Sequence, residues 1–164
     1  MGNQSTPNGN AAKPVFVPRD GNRSAEPTGD IRVKLSGADT GGAVAVLEVQ
    51  TDPDFSTPVH VHHIENECFY AIEGEYEVKV GEEIFPLKPG SSVYAPRLIP
   101  HAIHTVGQRR GKLMVVAQPA GHIEAFSADL FKLVSSGTRD QAAIGAIFLR
   151  HDMDVVGQPL ARKH

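Results

Sequence analysis

The chain has 164 residues, 40% of them hydrophobic, which is enough for one domain around a single core and too few for two comfortable ones. Its net charge of −3 offers no basic footprint for a phosphate backbone, and the one clustered basic pair, Arg109-Arg110, sits near Gly107 and Gly111 as in a solvated turn. A single cysteine cannot form an internal disulfide, no apolar run approaches the ~18 residues of a membrane span, and the start lacks a charged segment leading into an apolar one. We therefore expect a cytoplasmic protein with neither nucleic-acid nor membrane partners.

Residues 1–13 are rich in Asn, Gly, Ser, Thr and Pro and are expected to be a flexible tail, because they bury too little apolar surface to offset the entropy of ordering. From Val15 onward, short runs rich in Val, Ile, Phe and Tyr alternate with Gly, Pro and Asp. They predict strands at 31–35, 43–50, 59–63, 68–72, 76–80, 83–87, 92–95, 102–106 and 112–117, the pattern of an antiparallel sandwich or barrel. Gly41-Gly42, Asp52-Pro53, Glu73-Gly74 and Lys88-Pro89-Gly90 supply the turns. After Pro119 the period changes. Ile123, Phe126, Leu130, Phe131 and Val134 fall at helical offsets and run into Ser135-Ser136-Gly137, and a second helix is expected to start with Thr138 as its N-cap and to reach Arg150. This gives an all-β barrel domain over 14–120 and a helical extension over 121–164 packed on it.

Four residues carry the chemistry. Side chains alternate along a strand, so His60 and His62 point to one face while Val61 and His63 point to the other. Ile64-Glu65-Asn66 forms a short bend that lets the next strand return the Glu67 carboxylate beside them. His101 arrives from a separate strand, on an approach stiffened by Pro96 and Pro100. Three imidazoles and a carboxylate suit one divalent transition metal per chain, Fe, Mn, Ni, Zn or Cu, and leave coordination positions for a small-molecule substrate, with or without O2. By the same parity, Phe69, Ala71 and Ile103 should line the pocket, with Tyr70 pointing away. Glu67 is also the chief candidate for a catalytic base.

The spacing His60-x-His62-x4-Glu67-x6-Gly74 and the later Gly90-x5-Pro96-x4-His101 resemble the two motifs of the cupin superfamily. The chain is most similar to single-domain cupin-2 proteins related to quercetin dioxygenases, and the resemblance extends through Pro119 to Phe126 and the closing Asp154 to Leu160. It implies a jelly-roll β-barrel with the metal inside and, commonly, a homodimer. Two positions depart from the motif: Leu98 stands where glycine is usual, and Thr105 where asparagine is usual.

Other candidates have plainer explanations. His63, Glu65 and His104 lie near the ligands, but parity sets His63 against His62 and His104 against His101. Cys68, in a Phe-Tyr-Ala-Ile strand, is expected to be a small buried apolar residue. Phe126, Leu130 and Phe131 are expected to be ordinary packing, the alternative being a helix that lids the barrel mouth. The function expected is a metal-dependent dioxygenase-type oxidoreductase acting on a small aromatic or enolic compound. The alternatives are a non-oxidative decarboxylase, lyase or isomerase, or a non-catalytic small-molecule or metal-binding module.

Overall fold

Alternating apolar and polar residues can cover only one face of a sheet, so the strands of this chain pair into two sheets that hide their apolar faces against each other. The computed structural model describes residues 13–26, 28–138 and 140–160. All but Lys13 of the expected N-terminal tail lies outside them.

The described elements in chain order are β1 (Ile31–Leu35), α1 (Gly37–Thr40), β2 (Ala45–Thr51), β3 (Val59–His62), β4 (Asn66–Glu73), β5 (Glu75–Val80), β6 (Glu83–Leu87), β7 (Ser92–Ala95), β8 (His101–Val106), β9 (Gly111–Gln118), α2 (Ile123–Ser135), α3 (Gln141–Arg150) and β10 (Met153–Gly157). One sheet has the order β1-β2-β9-β4-β7 and the other β10-β3-β8-β5-β6, and the assigned pairings are antiparallel. Leu47, Phe69, Tyr76, Val78, Leu87 and Leu113 meet between the sheets and are almost fully buried. On β5 the alternation is clean: Tyr76 and Val78 point inward, while Glu77 and Lys79 are half-exposed.

Gly74 closes the hairpin between β4 and β5 with φ 79, and a Cβ there would stand 2.8 Å from the Gly111 Cα, so both the turn and the close passage of β9 require its missing side chain. Two short elements were not expected. Helix α1 is held by a capping box in which Ser36 and Asp39 exchange side-chain and backbone bonds. Strand β10 follows α3 and pairs with β3, Met153 opposite His62 and Val155 opposite His60.

The two expected helices form with adjusted ends. Helix α3 starts at Asp140, whose carboxylate accepts the Ala142 N–H at 2.9 Å, two residues after the expected cap at Thr138. Ile123 and Phe126 of α2 and Ile147 and Phe148 of α3 join the core, with the two phenylalanine rings edge to face at 4.8 Å. Among the described residues no helix is long and apolar enough to cross a membrane.

Candidate metal centre

The ligand candidates come from both sheets. His60 and His62 lie on β3, and His101, at the start of β8, is the direct cross-strand partner of His60. Glu67 lies on β4 of the opposite sheet, between Ala95 and Ala117. All four side chains are buried, and one potential ligand atom from each falls within 4.8 Å of every other. Oε2 of Glu67 is 3.1 Å from Nε2 of His101 and 3.6 Å from Nε2 of His62. Two ligands about 2.1 Å from a common ion and at right angles to it stand about 3 Å apart, so these separations fit a transition metal.

Hydrogen bonding on the far side of each ring supports the same arrangement. Nδ1 of His60 lies 2.8 Å from the Pro58 carbonyl, and Nδ1 of His101 lies 3.1 Å from the Ile99 carbonyl. A carbonyl only accepts, so both rings carry their proton on Nδ1 and turn an Nε2 lone pair inward. His62 does likewise with a carboxylate, its Nδ1 standing 3.0 Å from Glu65 Oε2. Three imidazoles in the same tautomer, with a carboxylate among their inner nitrogens, form a metal-ready donor set.

The electrostatics follow from burial and proximity. Burial, reinforced by His101 and His62, pushes the His60 pKa down to about 3. For His62, burial disfavours the charged form, but the carboxylates of Glu67 and Glu65 outweigh it and raise the pKa. For Glu67, burial is likewise overcome by His62 and His101, which lower its pKa to about 2. The centre therefore holds a carboxylate anion in a nearly dry site, an electrostatic well for a cation.

A partly open cavity of about 240 Å³ extends from the ligands. His60, His62 and Glu67 form its polar end. Its remaining wall is mostly apolar, with Leu47, Leu113 and Val115 from the sheets and Phe126, Leu130 and Phe148 from the helices; among the described residues it contains no lysine or arginine. Phe69 and Ile103 line this cavity, whereas Ala71 lies in the core away from the lining. Phe126 packs in the core and Leu130 against it, as expected, and both also line the cavity, while Phe131 packs on Gly29. Phe148 stands edge-on to His60 at 5.1 Å.

The alternative ligands fall elsewhere. His63 faces outward, with Nε2 2.8 Å from Asp154. His104 is buried, and its Nδ1 has no hydrogen-bond partner; neighbouring Thr105, on the inward face, has an unpartnered Oγ1. Cys68 is half-buried on the outward face of β4, opposite Tyr94 and Val116, rather than fully buried. Glu65 is the residue whose role the sequence pattern did not disclose. It is not a ligand but the acceptor behind one, and its place three residues after His62, in a bend, was the available signal.

Residues 47–117 match the family model described as a cupin domain, and the two antiparallel sheets form the cupin fold. An uncharacterized protein of Methanocaldococcus jannaschii, MJ1618, is 30% identical over 63 residues, covering 38% of this chain and 50% of that protein. The chain thus matches half the length of that relative. Among solved structures, TT1209 from Thermus thermophilus is 33% identical over 48% of this chain and 74% of its own, with a TM-score of 0.46. A structure described as a predicted oxalate decarboxylase, from Thermotoga maritima, is 22% identical over 54% of this chain and 78% of its own, with a TM-score of 0.51.

Proposed function

We propose that this protein is a metal-dependent enzyme, a dioxygenase-type oxidoreductase acting on a small aromatic or enolic compound. The observation that carries this reading is the union of a buried His60-His62-Glu67-His101 set with a partly open, largely apolar cavity that has no lysine or arginine among the described residues of its wall. A divalent transition metal bound there would supply Lewis acidity to a substrate oxygen and a place for O2. The apolar wall, with Phe126, Leu130 and Phe148 in its lining, would hold a flat or branched hydrocarbon body and keep most water away from it. Glu67, at the polar end of the cavity, is the candidate base for an enol or phenol proton in this reading. The likeness of both motifs to those of quercetin dioxygenases agrees with this chemistry.

The test is elemental analysis of the purified protein followed by oxygen-electrode assays on flavonols, catechols and β-diketones, with His62→Ala as the comparison. One metal per chain and oxygen uptake that His62→Ala abolishes is the expected result. Metal at one per chain with no oxygen uptake on any of these compounds would overturn the oxygenase assignment in favour of decarboxylase, lyase, isomerase or binding roles.

A further inference from the structure

His60 and His101 hand their Nδ1 protons to backbone carbonyls, but His62 hands its proton to a side chain. That acceptor, Glu65, is 1% exposed and engaged twice: Oε2 takes the His62 Nδ1–H at 3.0 Å, and Oε1 takes the backbone N–H of His122 at 2.6 Å. Gly121 presses on the same group. It has φ 52, and a Cβ at that position would lie 2.0 Å from Glu65 Oε1. His122 is the N-cap of α2, its own side chain makes no capping bond, and the helix that follows supplies Ile123, Phe126, Ser127 and Leu130 to the cavity wall.

We propose that Glu65 is a positioning residue that couples ion binding at His62 to the seating of α2 over the cavity. This rests on the reading of the four-residue cluster as a metal centre. Only a carboxylate can accept both bonds, because an amide in its place would turn an NH2 group toward one of two N–H donors. The carboxylate also fixes the His62 tautomer, leaving Nε2 free to bind a cation. A cation on Nε2 makes Nδ1–H a stronger donor, which tightens the hold on Glu65 and through it on the first turn of α2. Linkage is reciprocal, so an α2 that is properly seated tightens the ion by the same factor.

The experiment uses the full chain, stripped with chelator and titrated with cobalt(II), in wild type, Glu65→Gln and Gly121→Ala. It reads cobalt affinity, the visible cobalt spectrum, and amide hydrogen exchange over residues 122–127 with and without saturating cobalt. Wild type should bind one cobalt per chain and gain protection at these amides. Both variants should bind cobalt about 10- to 100-fold more weakly. Their cobalt-dependent protection of α2 should disappear even at saturation, an effect that a merely structural role for Glu65 would not produce. Where Glu65→Gln fails to fold, Gly121→Ala carries the test, since it displaces the carboxylate without removing it. Affinities within about twofold of wild type in the folded variants, or an undiminished gain of protection, would overturn the coupling while leaving the metal centre standing. No cobalt binding by wild type would overturn both.

Discussion

At Leu98 a single backbone angle departs from what an L-residue prefers. The residue has φ 67 in the turn before His101, where its N–H donates to the His62 carbonyl at 2.9 Å and its side chain is 60% exposed. The left-handed conformation costs a residue with a Cβ about 1–2 kcal/mol, against about 0.5–1 kcal/mol of extra chain entropy that glycine loses on folding. Leu98→Gly should therefore stabilise the protein by about 0.5–1 kcal/mol in a urea melt, and a lower midpoint would refute the strain argument. The departure from the motif was legible in sequence because the missing glycine stood out. That Glu65 backs His62 was not, because which group accepts the His62 ring proton depends on a loop 57 residues further on, whose His122 N–H completes the site.

The ligand residues also set a pH profile for the ion-free protein. His60 has its pKa depressed to about 3, so its contribution is intact above the ordinary 6.5 and is lost as pH falls from there. The raised pKa of His62 acts in the opposite sense: its contribution is full below 6.5 and is lost as pH rises through the folded value. Glu67, with a pKa near 2, loses its contribution only as pH falls below 4.5. Stability in chelator should therefore peak near pH 6.5, and His60→Asn should flatten the acid limb between 6.5 and 4.5. Thermal melts across that range check this, and an acid limb that persists unchanged in the variant would refute the assignment to His60.

At the scale of elements, the strand that matters most to the site is the one hidden from the sequence pattern. Met153-Asp-Val-Val-Gly157 is five residues long and follows a helix; only Met153 is fully buried, and Val155 and Val156 are exposed, so no alternation marks it. Yet β10 covers the edge of β3 that would otherwise present unpaired backbone groups beside His60 and His62. Most of the strands from β1 to β9 were legible because most of their turns carry Gly, Pro or Asp and several, such as β2, β5 and β9, alternate between buried and more exposed residues. Helix α1, only four residues long, lacks room for a period and shows itself only through the Ser36-Asp39 capping pair. Met153 has no exposed surface and sits in the core opposite His62. Met153→Ala should cost about 2–5 kcal/mol and weaken metal binding by loosening β3. Paired denaturant melts and metal titrations test this, and a loss of stability with unchanged metal affinity would show that β10 does not order the ligand strand.

For the molecule as a whole, the centre lies where the two sheets face each other. Three imidazoles project from the β10-β3-β8-β5-β6 sheet and one carboxylate from the β1-β2-β9-β4-β7 sheet, so an ion bound to all four would cross-link the two layers of the fold. An ion that binds the folded state and not the unfolded chain stabilises it by about 2.7 kcal/mol at a hundred times its dissociation constant. For a domain of this size, that corresponds to a rise in melting temperature of several degrees, about 5 °C or more. Because the ligands come from both sheets, His62→Ala, on one layer, and Glu67→Gln, on the other, should each reduce that rise sharply. His63→Ala should leave it intact, since His63 faces outward to Asp154. Calorimetry with and without added zinc or cobalt makes the comparison. If Glu67→Gln keeps the full metal-dependent shift, the ion is held by the histidine sheet alone and the cross-link between layers does not exist.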